Sequence, residues 1–428
     1  MEFNMLAAQI IIGLTLILML SGKTPIYLTA FVGATIAALA SGVALIPDWA
    51  PEYATPIMDL VRAGLHPVLL DMLGVLLFIG IMEQAGYLNS IIVAVMRVGK
   101  RLGGGPGVAT AGGVAAGIIG GFTGFTQPAI TGVITGPPAV EMGVDKNRVA
   151  GILAHAGHLG NFGGFTHPTI LAVIATAGIS FGAINAFGVI VALSIFAASY
   201  VRVTRMMKKE GVAQKDVDID FGAVTVPFWK AIIPFLVLVG AFVIGVPVIM
   251  AGIGSAILVI IMTGFKFISG EKEMMQGLVR IIVPLFATVS FLYMSAVINH
   301  IGLVTLITDA LGGALRAQPY LIMLLIGSVA GLLTQSNGAS IPIVIPVLTI
   351  IVSPEIGANP LTAAVAAAGG PAIMQYYLTG GPVAALSTVI PVIPGSDLKL
   401  ANKFQRPSIL VGMLVLFVIV LLRQLLFG

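Results

Sequence analysis

Three of the chain's five histidines fall in one short stretch, His155-Ala-Gly-His-Leu-Gly-Asn-Phe-Gly-Gly-Phe-Thr-His-Pro168. An imidazole titrates near neutral pH, so it can carry a proton, donate to a carboxylate or ligate a metal. His155 and His158 are three apart and share a helix face. No HExxH pattern and no nearby carboxylate pair accompanies them, which counts against a metal centre. A histidine satisfied by neighbouring carbonyls is the plainer alternative for any one of them. Cysteine is absent, so there is no disulfide, thiol nucleophile or thiolate ligand. Neither a nucleophile–base pair nor a P-loop occurs, which argues against an enzyme and against nucleotide-driven work.

Two other polar runs carry groups that can hold ions. They are Gly120-Gly-Phe-Thr-Gly-Phe-Thr-Gln-Pro128 and Thr334-Gln-Ser-Asn-Gly-Ala-Ser-Ile-Pro342. The first lies between the apolar arms Gly107–Ile119 and Ala129–Val140, the second between Tyr320–Leu333 and Ile343–Val352. Each arm is about a dozen residues, too short to cross a bilayer. Re-entrant hairpins are therefore expected over 107–140 and 320–352, with tips meeting near the membrane midplane. Backbone freed at such a tip must be satisfied by protein or ligand. Its carbonyls can hold a cation, and the helix N-terminus after it can hold an anion. Kinked spanning helices packed through Gly and Ser are the other reading of each tip. A second break follows each hairpin: the histidine stretch, and Gly369-Gly-Pro-Ala-Ile-Met-Gln-Tyr-Tyr-Leu-Thr-Gly-Gly-Pro382. So much Gly with a Pro should unwind a helix.

The residues expected around a bound solute are Thr123, Gly124, Phe125, Thr126 and Gln127 on the first tip, and Ser336, Asn337 and Gly338 on the second. His158, Asn161, Thr166, His167, Gln375 and Thr379 join them from the breaks. A coupling ion would use Thr123, Ser336 and Asn337, or His155 and His158. Histidines in a site otherwise free of acids favour a proton over sodium. No metal and no organic cofactor is expected. Four acids lie in or beside apolar segments, where acids are functional by default. Asp71 and Glu83 bracket one span. Glu141 and Glu355 close the hairpins, where capping or a partner such as Arg148 is expected.

The elements that position these groups come as an internal repeat. Comparing residues 113–168 with those 214 positions later gives identities at Gly113/Gly327, Ala116/Ala330, Gly117/Gly331, Gly124/Gly338, Pro128/Pro342, Thr135/Thr349, Glu141/Glu355, Gly143/Gly357, Ala150/Ala364, Ala154/Ala368 and Pro168/Pro382, without a gap. Asn161 aligns with Gln375, and Phe162 with Tyr376. After its glutamate the first copy carries Asp145, Lys146 and Arg148, whereas the second reads Gly357-Ala-Asn-Pro-Leu-Thr362 with no cation. Equivalent loops on opposite faces imply inverted repeats.

Composition sets the solvent. The chain is 58% hydrophobic and 9% charged, with a mean hydropathy of +1.09, against about a quarter charged in soluble domains. Apolar runs such as Ile10–Leu20, Ile26–Ile46, Ile232–Val248 and Ile409–Leu422 recur. The first lacks the basic start and cleavage site of a signal peptide and is kept as a helix. The basic pI does not point to nucleic acid, because the cations sit in a few loops. Arg202–Phe221, opening with Arg202, Arg205, Lys208 and Lys209, is expected in the cytoplasm, and acidic Pro47–Asp59 outside. From these anchors about ten crossings follow, with both termini outside. Lys23, Arg97, Lys100, Arg101, Lys146, Arg148, Lys266, Lys272, Lys399, Lys403 and Arg406 then fall inside, and Arg62 and Arg316 outside. The expected fold is an all-α polytopic membrane protein of about ten helices in two inverted repeats. It divides into a two-helix segment (1–64), repeat one (65–201, with hairpin 107–140 and broken helix 148–176), a cytoplasmic loop (202–227), linking helices (228–277), repeat two (278–394, with hairpin 320–352 and broken helix 361–390) and a C-terminal helix (395–428).

The tip motifs resemble those of the ion-transporter superfamily of secondary carriers, and most of all the lactate permease family. Gly121-Phe-Thr-Gly-Phe-Thr-Gln-Pro128 is similar to that family's first tip, and Leu333-Thr-Gln-Ser-Asn-Gly-Ala-Ser340 to its second. The helix from Val283-Pro-Leu-Phe to Asn299-His-Ile-Gly302 also fits. The resemblance covers roughly Leu69–Ile174 and Val279–Ile390. It implies a proton- or sodium-coupled permease for small carboxylates, with solute held between tips and broken helices. Lactate permeases are longer and do not typically carry the histidines, which leaves the substrate open. The Met82-Glu-Gln-Ala-Gly86 region also resembles the large membrane subunit of tripartite periplasmic transporters, although Gly163-Gly-Phe-Thr-His-Pro168 replaces the break expected there.

A coupled symporter of the cell inner membrane for a small organic anion is the main expectation, with the bilayer as its setting and a homodimer allowed. A binding-protein-dependent carrier is the alternative, followed by a sodium/proton antiporter. The antiporter needs an essential buried acid, and the tips contain none.

Overall fold

The computed structural model describes residues 2–21, 23–46, 54–124, 126, 128–378 and 385–427. The described structure is helical, with a single isolated bridge between Ala44 and Pro56. α1 (Glu2–Leu20) and α2 (Ile26–Ala40) pack together, with Gly33 set against Thr15. α1 buries Ala8, Ile12 and Met19 and exposes Leu6, Ile10, Leu14 and Ile17. A helix apolar on both faces has no side for water and belongs in lipid. α3 (Ile57–Ala63) and α4 (Val68–Gln84) are bent by 46° to each other.

α5 (Tyr87–Thr123) is nominally one helix of 37 residues, but its backbone breaks at Gly103 and Gly104. A Cβ on Gly99 would overlap Ala111, twelve positions on. In a straight helix those residues would stand roughly 18 Å apart. The second arm therefore folds back on the first. Gly104 makes the turn at φ 58, which a side chain would disfavour. The second arm and α6 (Pro128–Glu141) then form the first hairpin. α7 (Lys146–Ala154), α8 (Ala156–Gly163) and α9 (Pro168–Ala177) follow as one discontinuous helix. α10 (Ala183–Lys209) runs 27 residues, about 40 Å.

After a coil come α11 (Phe228–Val243), α12 (Val248–Thr263) and α13 (Phe267–Gln276). α12 lies against α4 where Gly252 meets Gly74. α14 (Ile282–His300) and α15 (Leu303–Ala317) are bent by 70°. α16 (Pro319–Thr334) and α17 (Asn337–Ile351) form the second hairpin. α18 (Pro360–Met374) leads into the second break, and α19 (Ala385–Val389) resumes after it. α20 (Leu398–Phe427) closes the chain against α10 and α18.

The glycines matched at offset 214 do the same work in both halves. A Cβ on Gly113 would stand 3.1 Å from Ile152 O, and one on Gly117 2.7 Å from Leu159 Cβ. Their counterparts Gly327 and Gly331 would stand 3.0 Å and 2.6 Å from Pro371. In each half, small residues let the hairpin's first arm lie directly on the discontinuous helix that follows.

By length and composition, α10 and α20 are each long and apolar enough to cross a membrane, as are the bent pairs α3–α4 and α14–α15 when each is taken as one span. α5 has the length, but its 37 residues are divided by the reversal at Gly103 and Gly104. Among the described residues, seven further apolar helices of 10–17 residues, α2, α11 and α12 among them, complete the polytopic set. Pairing of Arg148 with Glu141 is corrected: Arg148 instead forms two bonds to Glu210, at 2.8 and 2.5 Å. Glu141 and Glu355 are both exposed.

Candidate functional site

Each hairpin tip lies on the break of its own discontinuous helix, and the two breaks touch. At the first, α8 ends at Gly163 and α9 starts at Pro168, so the intervening backbone needs partners. Phe165 N donates to Gly121 O at 2.8 Å, and Thr166 Oγ1 reaches the same carbonyl at 3.4 Å. Asn185 of α10 donates to Gly164 O at 2.7 Å. His167 caps α9, its Nδ1 accepting from Thr169 N at 3.3 Å. A cap of this kind requires an unprotonated Nδ1.

Gly124 ends the first arm in the left-handed conformation, φ 77. Beyond it, Thr126 wedges its hydroxyl between Gly120 and Gly160, at both of which a Cβ would overlap it. That hydroxyl is buried and has no hydrogen-bond partner among the described residues. Thr123 faces outward, lining a cleft of about 510 Å³ with Glu83 and Asn89. Phe125, Gln127 and Thr379 lie outside the described residues.

The second tip is tied by short-range bonds. Gln335 adopts φ 49, the one described non-glycine residue with positive φ. Thr334 Oγ1 donates to Ser336 O at 2.9 Å, and Ser340 Oγ does so at 2.8 Å. Ser336 caps α17 by accepting from Ala339 N at 3.3 Å. Gly338 follows in the first turn of α17, with Tyr27 nearby. Asn337 N donates to Gln375 Oε1 at 2.9 Å, which joins the tip to the second break. The Asn337 side chain is 3% exposed, and neither its Oδ1 nor its Nδ2 has a hydrogen-bond partner among the described residues.

Between the breaks stands Tyr376. Asn161 Nδ2 donates to its hydroxyl at 2.8 Å, and the His158 ring lies 4.7 Å from its ring. No hydrogen bond geometry is met at either nitrogen of His158, although the carbonyls of His155 and Ile373 are close enough to interact. His155 faces away from the tips: its Nε2 meets Ser199 Oγ at 2.7 Å, and Ser199 donates to Ser408 at 2.8 Å. The expected set thus divides. His158, Asn161 and Gln375 converge with Asn337 around Tyr376, and Thr126 lies one helix layer away against Gly160. Thr166 and His167 brace the surrounding backbone, and His155 joins the Ser199 side chain on α10. Among the described residues no hydrogen bond joins one tip to the other; they communicate through the breaks.

Four residues of this arrangement escaped sequence reading as site residues. Tyr376 was aligned with Phe162 but given no role. Asn185 and Asn402 hold the breaks, Asn402 Nδ2 donating to Tyr376 O at 3.0 Å. Their signal was an amide inside an apolar helix. Arg406, counted as a loop cation, lies at the second break: its Nε donates to Tyr377 O at 3.0 Å and Asn402 Oδ1 at 2.9 Å.

No family model matches the chain, and no curated protein matches its sequence. Among solved structures, the crystal structure of the YdaH transporter from Alcanivorax borkumensis, described as revealing an unusual topology, is similar at a TM-score of 0.54. The match covers 86% of this chain and 87% of that chain at 16% identity. At that identity the likeness concerns the fold. The chain shares the fold of that transporter and is an all-α polytopic membrane protein.

Proposed function

We propose that this chain is a secondary active transporter of the cell inner membrane that moves a small organic anion, a carboxylate, together with protons or sodium ions. The observation that carries this reading is the buried Asn337 amide. It sits at the N-terminus of the 15-residue helix α17, where tip and break meet, and its side chain has no hydrogen-bond partner among the described residues. Buried polar groups are nearly always bonded, so a fully buried amide left open at the junction of two broken helices suits a ligand. The positive ends of α17 and α9 favour an anion there. The Arg406 guanidinium beside the second break adds positive charge, and the resemblance of the tips to those of lactate permeases favours a carboxylate. For the cation, the Asn337 and Gln335 side-chain oxygens offer a sodium route, and His158 offers a proton route. The repeat, with its cationic loop in one copy only, supports two halves inverted in the membrane.

The test is uptake of labelled carboxylates into proteoliposomes containing the purified chain alone, under separate sodium and proton gradients. Gradient-driven uptake of at least one carboxylate is expected. Uptake only on addition of a periplasmic binding protein would favour the tripartite reading. Cation exchange with no organic solute moved would favour the antiporter.

A further inference from the structure

We propose that the groove between the C-terminal half of α10 and the adjoining face of α20 is a binding site for an anionic phospholipid. The groove has a volume of about 670 Å³, and its lining includes Arg202, Arg205 and Lys209. These lie at i, i+3 and i+7, on one face of α10. Val201 and Val411 line it beside them. No acid contributes to the lining, and none of the three cations has a carboxylate within 4.0 Å among the described residues. The nearest acid in sequence, Glu210, is held by Arg148. Arg202 is fixed in place: it donates to Phe404 O and lies 4.8 Å from the centre of the Phe404 ring. Arg205 and Lys209 are exposed.

The order of groups along the groove identifies the ligand class. The three cations occupy the last turns of α10, at one end. Beside them the wall of the groove is apolar, formed by Ala197, Ala198 and Val201 of α10 with Val411 of α20. A phosphate with two acyl chains presents the same sequence of charge and hydrocarbon. Basic pockets between membrane helices recognise such headgroups, and each nearby Lys or Arg strengthens attachment about five-fold. A free anion would satisfy the cations and leave the apolar walls unused. The inference does not depend on which solute is carried.

The experiment is native mass spectrometry of the full chain released from nanodiscs of phosphatidylcholine with a minor fraction of phosphatidylglycerol. Wild type is expected to retain phosphatidylglycerol several-fold above its share. Arg205→Gln and Lys209→Gln should each lower that enrichment about five-fold. Lys208→Gln removes the same charge from the same turn but outside the groove, and should leave the enrichment intact. Arg202 is left unsubstituted because it also holds α20. Millimolar inorganic phosphate should not displace the lipid. The proposal is overturned if wild type shows no enrichment, if both groove variants keep it, if Lys208→Gln loses as much as they do, or if inorganic phosphate abolishes it. It is equally overturned if the groove variants shift the chain from dimer to monomer without changing lipid retention, since the occupant would then be a second copy.

Discussion

At the scale of the residue, the junction separates side chains that complete the protein from side chains left open. Asn185 bonds backbone at the first break, whereas the Asn337 side chain bonds nothing among the described residues. The two asparagines should therefore fail differently. Asn337→Ala is expected to lower transport efficiency about ten-fold or more with little change in thermal stability, because no native bond is lost. Asn185→Ala leaves buried carbonyls without a donor and should cost about 1–3 kcal/mol of stability, read by thermal denaturation in detergent. Thr126→Ala belongs with Asn337. Sequence reading reached Asn337, Thr126, His158 and Asn161 because polar groups in apolar runs stand out. It could not sort them, since the types are the same whether a side chain caps a helix, as His167 does, or faces a ligand. Tyr376 stayed hidden because an aromatic residue in an apolar segment looks like packing until its hydroxyl is seen bonded to Asn161.

At the scale of the element, matched glycines decide how closely each hairpin lies on its broken helix. Gly331→Ala would bring a Cβ within 2.6 Å of Pro371 Cα, a backbone atom that cannot swing aside. A stability loss of about 1–3 kcal/mol is expected, together with reduced uptake as the second tip is lifted from Gln375. Gly313→Ala, with open space around it, is the control and should be close to neutral. The base of the first half is tied by Arg148 and Glu210. The Arg148 guanidinium, chiefly by its hydrogen bonds, holds the Glu210 carboxyl below its ordinary value. A depressed carboxyl contributes stability that is complete above its unfolded value and is lost as pH falls through the folded one. Thermal midpoints should therefore decline below about pH 4.5 less steeply in Glu210→Gln than in wild type; because the pair is exposed, the difference should be small. The hairpins were legible from Gly- and Pro-bounded arms of a dozen residues. The reversal inside α5 was not, because Gly103-Gly-Gly105 in sequence fits a flexible helix as well as a turn, and only the contact of Gly99 with Ala111 distinguishes them.

At the scale of the whole molecule, hydropathy placed the chain in a membrane, and the offset-214 repeat showed two related halves. The number of crossings was less legible. Helices of about 15 residues can span by thinning the bilayer locally, pair with a neighbour or stop inside, and composition is the same in each case. A secondary transporter must expose its site to each side of the membrane in turn, so the proposed function requires the junction around Asn337 to be reachable from both. Because the native chain has no cysteine, Asn337→Cys can be probed in oriented proteoliposomes with a membrane-impermeant thiol reagent, applied from one side and then the other, with and without a transported carboxylate. Modification from both sides, slowed several-fold by the carboxylate, is the expected result. Modification from neither side, or at rates indifferent to every carboxylate the chain transports, would contradict it.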